Sequence, residues 1–70
     1  MNDEEFLKNI GQRIKDEREK KGMKQVELAA RLDMESSSLR RIENGRTNTT
    51  VLMLRKICKV LGLSVSELLH

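Results

Sequence analysis

Seventy residues suffice for one compact domain with a thin core, and a single cysteine excludes an internal disulfide. There is no proline, Phe6 is the only aromatic residue, and 36% of the chain is charged, with the apolar residues at helical rather than alternating spacing. That pattern points to an all-α fold. No run approaches transmembrane length, and the acidic start NDEE is unlike a secretion signal, so a cytoplasmic protein is expected. The net charge of +3 is unevenly spread. Residues 1–39 carry eight Lys and Arg against nine Asp and Glu, a balance of −1, whereas residues 40–70 carry six against two, a balance of +4. Basic charge gathered on one part of a small domain is the footprint of a phosphate-binding surface, although other polyanions would suit it as well.

Helix one opens on a capping box, with Asn2 as the cap, Glu5 three residues on, and Asp3 and Glu4 favourable to the helix dipole. Phe6, Leu7, Ile10 and Ile14 form its apolar stripe, which Arg18 continues. Gly11 beside that stripe costs about 1 kcal/mol against alanine in a helix interior, and implies close approach by another helix. The run REKKG closes the helix, with cations in the last turn and Gly22 past its end.

Met23 then plugs the junction. Lys24 takes the cap position of helix two, where Ser or Thr would serve better. QVELAARL places Leu28, Ala29 and Leu32 on one side, and Ala29 is small where two helices must touch. Asp33, Met34 and Glu35 leave room only for a turn. SSSLRRIEN forms helix three and Gly45 ends it in the left-handed region. Two helices joined this tightly make a helix-turn-helix, whose second helix (residues 36–44) can enter a DNA major groove.

At about 100° per residue, Leu39 and Ile42 mark the buried edge of helix three. Ser37, Arg40, Arg41 and Asn44 point away from it, and Ser36 and Ser38 lie on the flanks. Arginine can bond guanine bidentately, asparagine can bond adenine, and serine can bond either or a phosphate. An ordinary solvated helix face with a serine-rich start would show the same residues. Glu43 falls near the buried edge, as Arg18 does on helix one. A partly buried ion pair between them accounts for both; two unrelated surface charges account for them equally well on spacing alone.

The loop RTNTT follows, and backbone contact by Arg46, Thr47 or Asn48 fits its place beside helix three. Thr50 caps helix four, whose Val51, Leu54, Ile57, Cys58 and Leu61 are expected to face inward while Leu52 and Met53 stay exposed. Cys58 on that stripe reads as a structural thiol. Ser64 and Glu67 form a second capping box for helix five, which Leu68, Leu69 and His70 finish. A lone terminal histidine implies no metal, and no set of residues suggests catalysis or a cofactor.

IGQRIKDEREKKGM, QVELAARL, IENG, LRKICKVLGLS and SELL follow one another from Ile10 to Leu69. In that order they resemble the phage-repressor/Cro-type, or XRE-like, helix-turn-helix family. The resemblance implies a compact five-helix domain of the lambda-repressor-like type, spanning residues 1–70, with helices two and three as the DNA-reading motif. It also implies the Arg18–Glu43 pair. By position Gln25 and Asn44–Arg46 match phosphate contacts, with Lys24, Thr47 and Asn48 grouped beside them. Ser36, Ser37 and Arg41 match base-contacting positions, with Ser38 and Arg40 adjacent. Asp33 stands where the family usually has glycine, Glu35 where it has a Ser or Thr cap, and Thr49 where proline is common.

The expected function is sequence-specific binding of double-stranded DNA by a transcription regulator, with no membrane association, no small-molecule ligand and no enzymatic activity. A rival reading is a protein-interaction module, such as a small antitoxin or adaptor, with a polymerase or toxin as partner. Because one recognition helix reads few base pairs, a homodimer on a palindrome is expected. Leu52, Met53, Val65, Leu68 and Leu69 are the candidates for its interface.

Overall fold

The computed structural model describes residues 2–69; the expectations for His70 fall outside them. Among the described residues the chain forms five helices: α1 (Asp3–Lys20), α2 (Gln25–Arg31), α3 (Ser36–Glu43), α4 (Val51–Leu61) and α5 (Val65–Leu69). An 18-residue helix is about 27 Å long, close to the 31 Å long dimension of the molecule. α1 is therefore the spine, and α3, α4 and α5 all pack against it while α2 packs against α3.

Local chemistry sets the helix starts. Asn2 Oδ1 accepts from the Glu5 N–H at 2.8 Å and Thr50 Oγ1 from the Met53 N–H at 3.0 Å. At α5 the box is reciprocal, Glu67 N–H to Ser64 Oγ and Ser64 N–H to Glu67 Oε1, both at 3.0 Å. These bonds hold the Glu67 carboxyl below its ordinary range, with Arg13 adding a smaller pull. Lys24 and Glu35, at the caps of α2 and α3, make no side-chain cap bond. The ends of α1, α2 and α3 share one motif. Gly22, Asp33 and Gly45 take positive φ, and the next residue donates back to the fifth carbonyl before it (Met23 to Arg18, Met34 to Ala29, Arg46 to Arg41). Asp33 does at φ 56° what glycine does elsewhere, and it makes the turn of the motif tight.

Ile14, Leu28, Leu39, Ile57, Leu61 and Leu68 are the most deeply buried side chains, one or more from every helix. Gly11 is buried where α1 crosses the end of α3. A Cβ there would lie 2.5 Å from the Glu43 carbonyl oxygen and closer still to that of Ile42, so only glycine allows this approach. Cys58 is buried as a packing residue, and burial, with Glu67 nearby, pushes its thiol up.

Four expectations change. Phe6, placed on the α1 stripe, is 44% exposed, because the core begins only at Ile10. Val51, expected inside, is 73% exposed: it opens α4, some 60° round the helix from Leu54. Met53, expected outside, is partly buried against the core. Leu68, proposed for a dimer interface, is 1% exposed and closes the core, so it offers no surface to a second chain.

Candidate nucleic-acid interface

The site is built on one buried ion pair. Arg18 Nε donates to Glu43 Oε2 at 2.7 Å and Nη2 to Oε1 at 3.2 Å, while Nη1 donates to the Met23 carbonyl at 2.7 Å. Gln25 Nε2 completes the set by donating to Glu43 Oε1 at 2.8 Å. Glu43 is thereby satisfied although its side chain is fully buried. Among the described residues no buried side-chain nitrogen or oxygen lacks a partner. The network ties α1, the start of α2 and the end of α3 into one unit, and it neutralises the only carboxylate on α3.

With Leu39, Ile42 and Glu43 inward, the outward face of α3 carries Ser37, Ser38, Arg40, Arg41 and Asn44, all exposed, and Ser36 half-buried at its start. Gly45 turns the chain so that exposed Arg46 and Asn48 and half-buried Thr47 continue the same surface. Lys24 is exposed at the start of α2, and Gln25 is half-buried with part of its amide already engaged by Glu43. Glu35 lies at the entrance of α3, where its carboxylate accepts from Ser37 Oγ at 3.5 Å. It is the one acidic side chain beside the serines.

Two concavities flank Arg41. One, of about 260 Å³, lies between α3 and the loop, with Ser38, Thr47, Asn48 and Thr50 around Met34 and Met53. Met53 therefore borders the α3 surface instead of lying far from it, as a dimer contact would require. The other concavity brings Lys8 and Glu4 of α1 together with Arg41, Asn44 and Arg46. In the sequence Lys8 has no assigned role and Glu4 only that of a helix-dipole residue, because no spacing rule connects the outer face of α1 to the end of α3. Of the other interface candidates, Leu52 is 69% and Leu69 45% exposed, and Val65 is half-buried against the core. Among the described residues no group of acidic, histidine or cysteine side chains is arranged to hold a metal. Among the described residues no helix is long and apolar enough to cross a membrane.

The helix-turn-helix family HTH_3 matches this chain over residues 14–68. The chain is 44% identical over 62 residues to the HTH-type transcriptional regulator SinR of Bacillus licheniformis, a match covering 87% of this chain and 56% of SinR. It therefore spans little more than half of that relative. Control protein C.MunI of a Mycoplasma species is 37% identical over 51 residues, covering 73% of this chain and 69% of C.MunI. Among solved structures, the biofilm regulator SinR in complex with DNA superposes with a TM-score of 0.79 at 44% identity, over 87% of this chain and 98% of that one. The chain belongs to the XRE-type helix-turn-helix family of DNA-binding transcription regulators.

Proposed function

We propose that this chain binds duplex DNA sequence-specifically, as a homodimer on a two-fold symmetric operator, with α3 in the major groove. The observation that carries the reading is the composition of one rigid face. Two arginines, an asparagine and three serines stand on α3, and the only carboxylate of that helix is buried in an ion pair behind them. Arg41 and Arg40, with Ser36, Ser37 and Ser38, are the base readers. Lys24, Gln25, Asn44, Arg46, Thr47 and Asn48 hold the backbone on either side, through side chains or main-chain N–H groups. Gln25 does so with the amide hydrogen that Glu43 does not use. The action is binding without a catalytic step or cofactor, in the cytoplasm where the DNA lies.

Support comes from two directions. The relatives are named as transcriptional regulators and a control protein, and SinR was solved with DNA. Independently, Arg40 and Arg41 are exposed on the outward face of α3, and arginine is a side chain that can bond guanine in a major groove. Selection of binding sites from random duplexes, at low and near-physiological salt, tests the reading. Enrichment of a palindrome with half-sites about 34–36 Å apart is the expected result. Binding that follows charge alone, without sequence preference at either salt, rejects it.

A further inference from the structure

The concavity that joins α1 to the end of α3 extends the proposed DNA surface beyond the helix-turn-helix to the outer face of α1. Glu4 and Lys8, in the first half of α1, line it. We propose that Lys8 holds a DNA backbone phosphate in this concavity, beside Arg46, and that Glu4 weakens that grip. The inference rests on the DNA-binding reading above and adds a contact that the helix-turn-helix itself does not contain.

Geometry brings the residues together. Gly45 lies against the α1 backbone so closely that a Cβ on it would fall 2.6 Å from Lys8 Cα. This contact seats Lys8 next to the turn that carries Arg46, and the space between them is an open concavity of about 870 Å³ lined also by Arg41 and Asn44. Three cations and an amide thus face one carboxylate. A recognition helix reads bases mainly with its N-terminal residues, so the chain beyond its C-terminal end runs towards the groove edge, where phosphates lie. The Glu4–Lys8 pair is long, at 3.8 Å, and its side chains are 75% and 62% exposed. Such a pair is weak and solvent-screened, so a phosphate can replace Glu4 as the partner of the ammonium. Glu4 then stays in the same concavity as an unpaired negative charge facing the backbone. Lysine suits this role as a compact point charge on a flexible stem.

The test is the salt dependence of duplex binding by the full chain, with the selected site as ligand, for wild type, Lys8→Ala, Glu4→Gln and Lys59→Ala. Lys59 is an exposed lysine of α4 in a different concavity, with Arg31 and Lys56, and controls for net charge. Lys8→Ala should lower the slope of log K against log salt by about 0.9, the release of one counterion. It should weaken the selected and unselected duplexes alike. Glu4→Gln should tighten binding several-fold, and Lys59→Ala should leave the slope unchanged. A Lys8→Ala slope equal to wild type, or lowered no more than by Lys59→Ala, overturns the proposal. Saturable amide shifts at Gly45 and Arg46 on adding inorganic phosphate at fixed ionic strength would make this a free-anion site and also overturn it. If wild type binds no duplex, the DNA-binding reading itself fails, and the contact with it.

Discussion

Glu43 and Arg18 each sit where a charge would be costly alone, and each is present because the other is. Removing one partner of a buried pair leaves an uncompensated charge, at about 3–5 kcal/mol. Glu43→Ala should therefore unfold much of the protein at ambient temperature, since small domains have little more than that to lose. Arg18→Met combined with Glu43→Leu should recover most of the loss, because an apolar pair fills the same space without the desolvation cost. Thermal melts of wild type and the two variants decide this, and a double variant no more stable than Glu43→Ala contradicts it. Angle alone drew attention to both residues, and the ordered motifs of the family pointed to their pairing. The third member was not legible. The resemblance gave Gln25 as a phosphate contact by position, and only the packing of α2 on α3 brings its amide to Glu43 Oε1. Gly11 is similar: propensity counts it as a cost, whereas the carbonyls of Ile42 and Glu43 leave no room for a side chain.

At the level of elements, caps and turns were readable because they are short-range. Asn2, Thr50 and the Ser64–Glu67 box bond to backbone three residues away, and Asp33 tolerates the left-handed region through its own side chain. Which helix faces are covered was less readable, since that depends on the neighbours. Val51 and Met53 exchanged places for this reason, and Leu68 went into the core because α5 folds back on α1 and α4. The α5 box also carries a pH dependence. The Glu67 carboxyl is held below its ordinary value of 4.5. Its contribution is therefore complete above that value and is lost as pH falls through the lower, folded one. The melting temperature of wild type should fall more steeply between pH 5 and pH 3 than that of Glu67→Gln, which cannot gain the proton. Parallel pH profiles for the two proteins would mean that the box adds nothing to stability.

For the whole molecule, the all-α class followed from composition and helical periodicity. The helix-turn-helix followed from the brevity of the Asp33–Glu35 turn. The proposed second chain would have to cover apolar surface that the monomer leaves exposed. With Leu68 inside and Met53 beside the α3 surface, the exposed apolar residues that remain in the C-terminal third are Val51, Leu52 and Leu69, while Val65 is partly buried against the core. Leu52→Asp is the better probe of a dimer than any change at Met53, since it leaves the core untouched. A two-fold interface presents the substitution twice. Sedimentation should find a folded monomer, with operator binding weakened about 100-fold or more by loss of the linked second half-site. A wild-type chain that stays monomeric at high micromolar concentration would exclude this dimer.

The claim on which the rest depends is that α3 reads bases through Arg41 while Arg46 beyond it holds the backbone. Parallel selections from random duplexes with wild type, Arg41→Ala and Arg46→Ala, followed by salt titrations on the enriched sites, address it directly. Arg41→Ala should relax the preference at one or two base pairs and cost about 1–3 kcal/mol at the wild-type site. Arg46→Ala should keep the wild-type preference and lower the slope of log K against log salt by about 1. Identical preferences and identical slopes for the two variants would contradict the account.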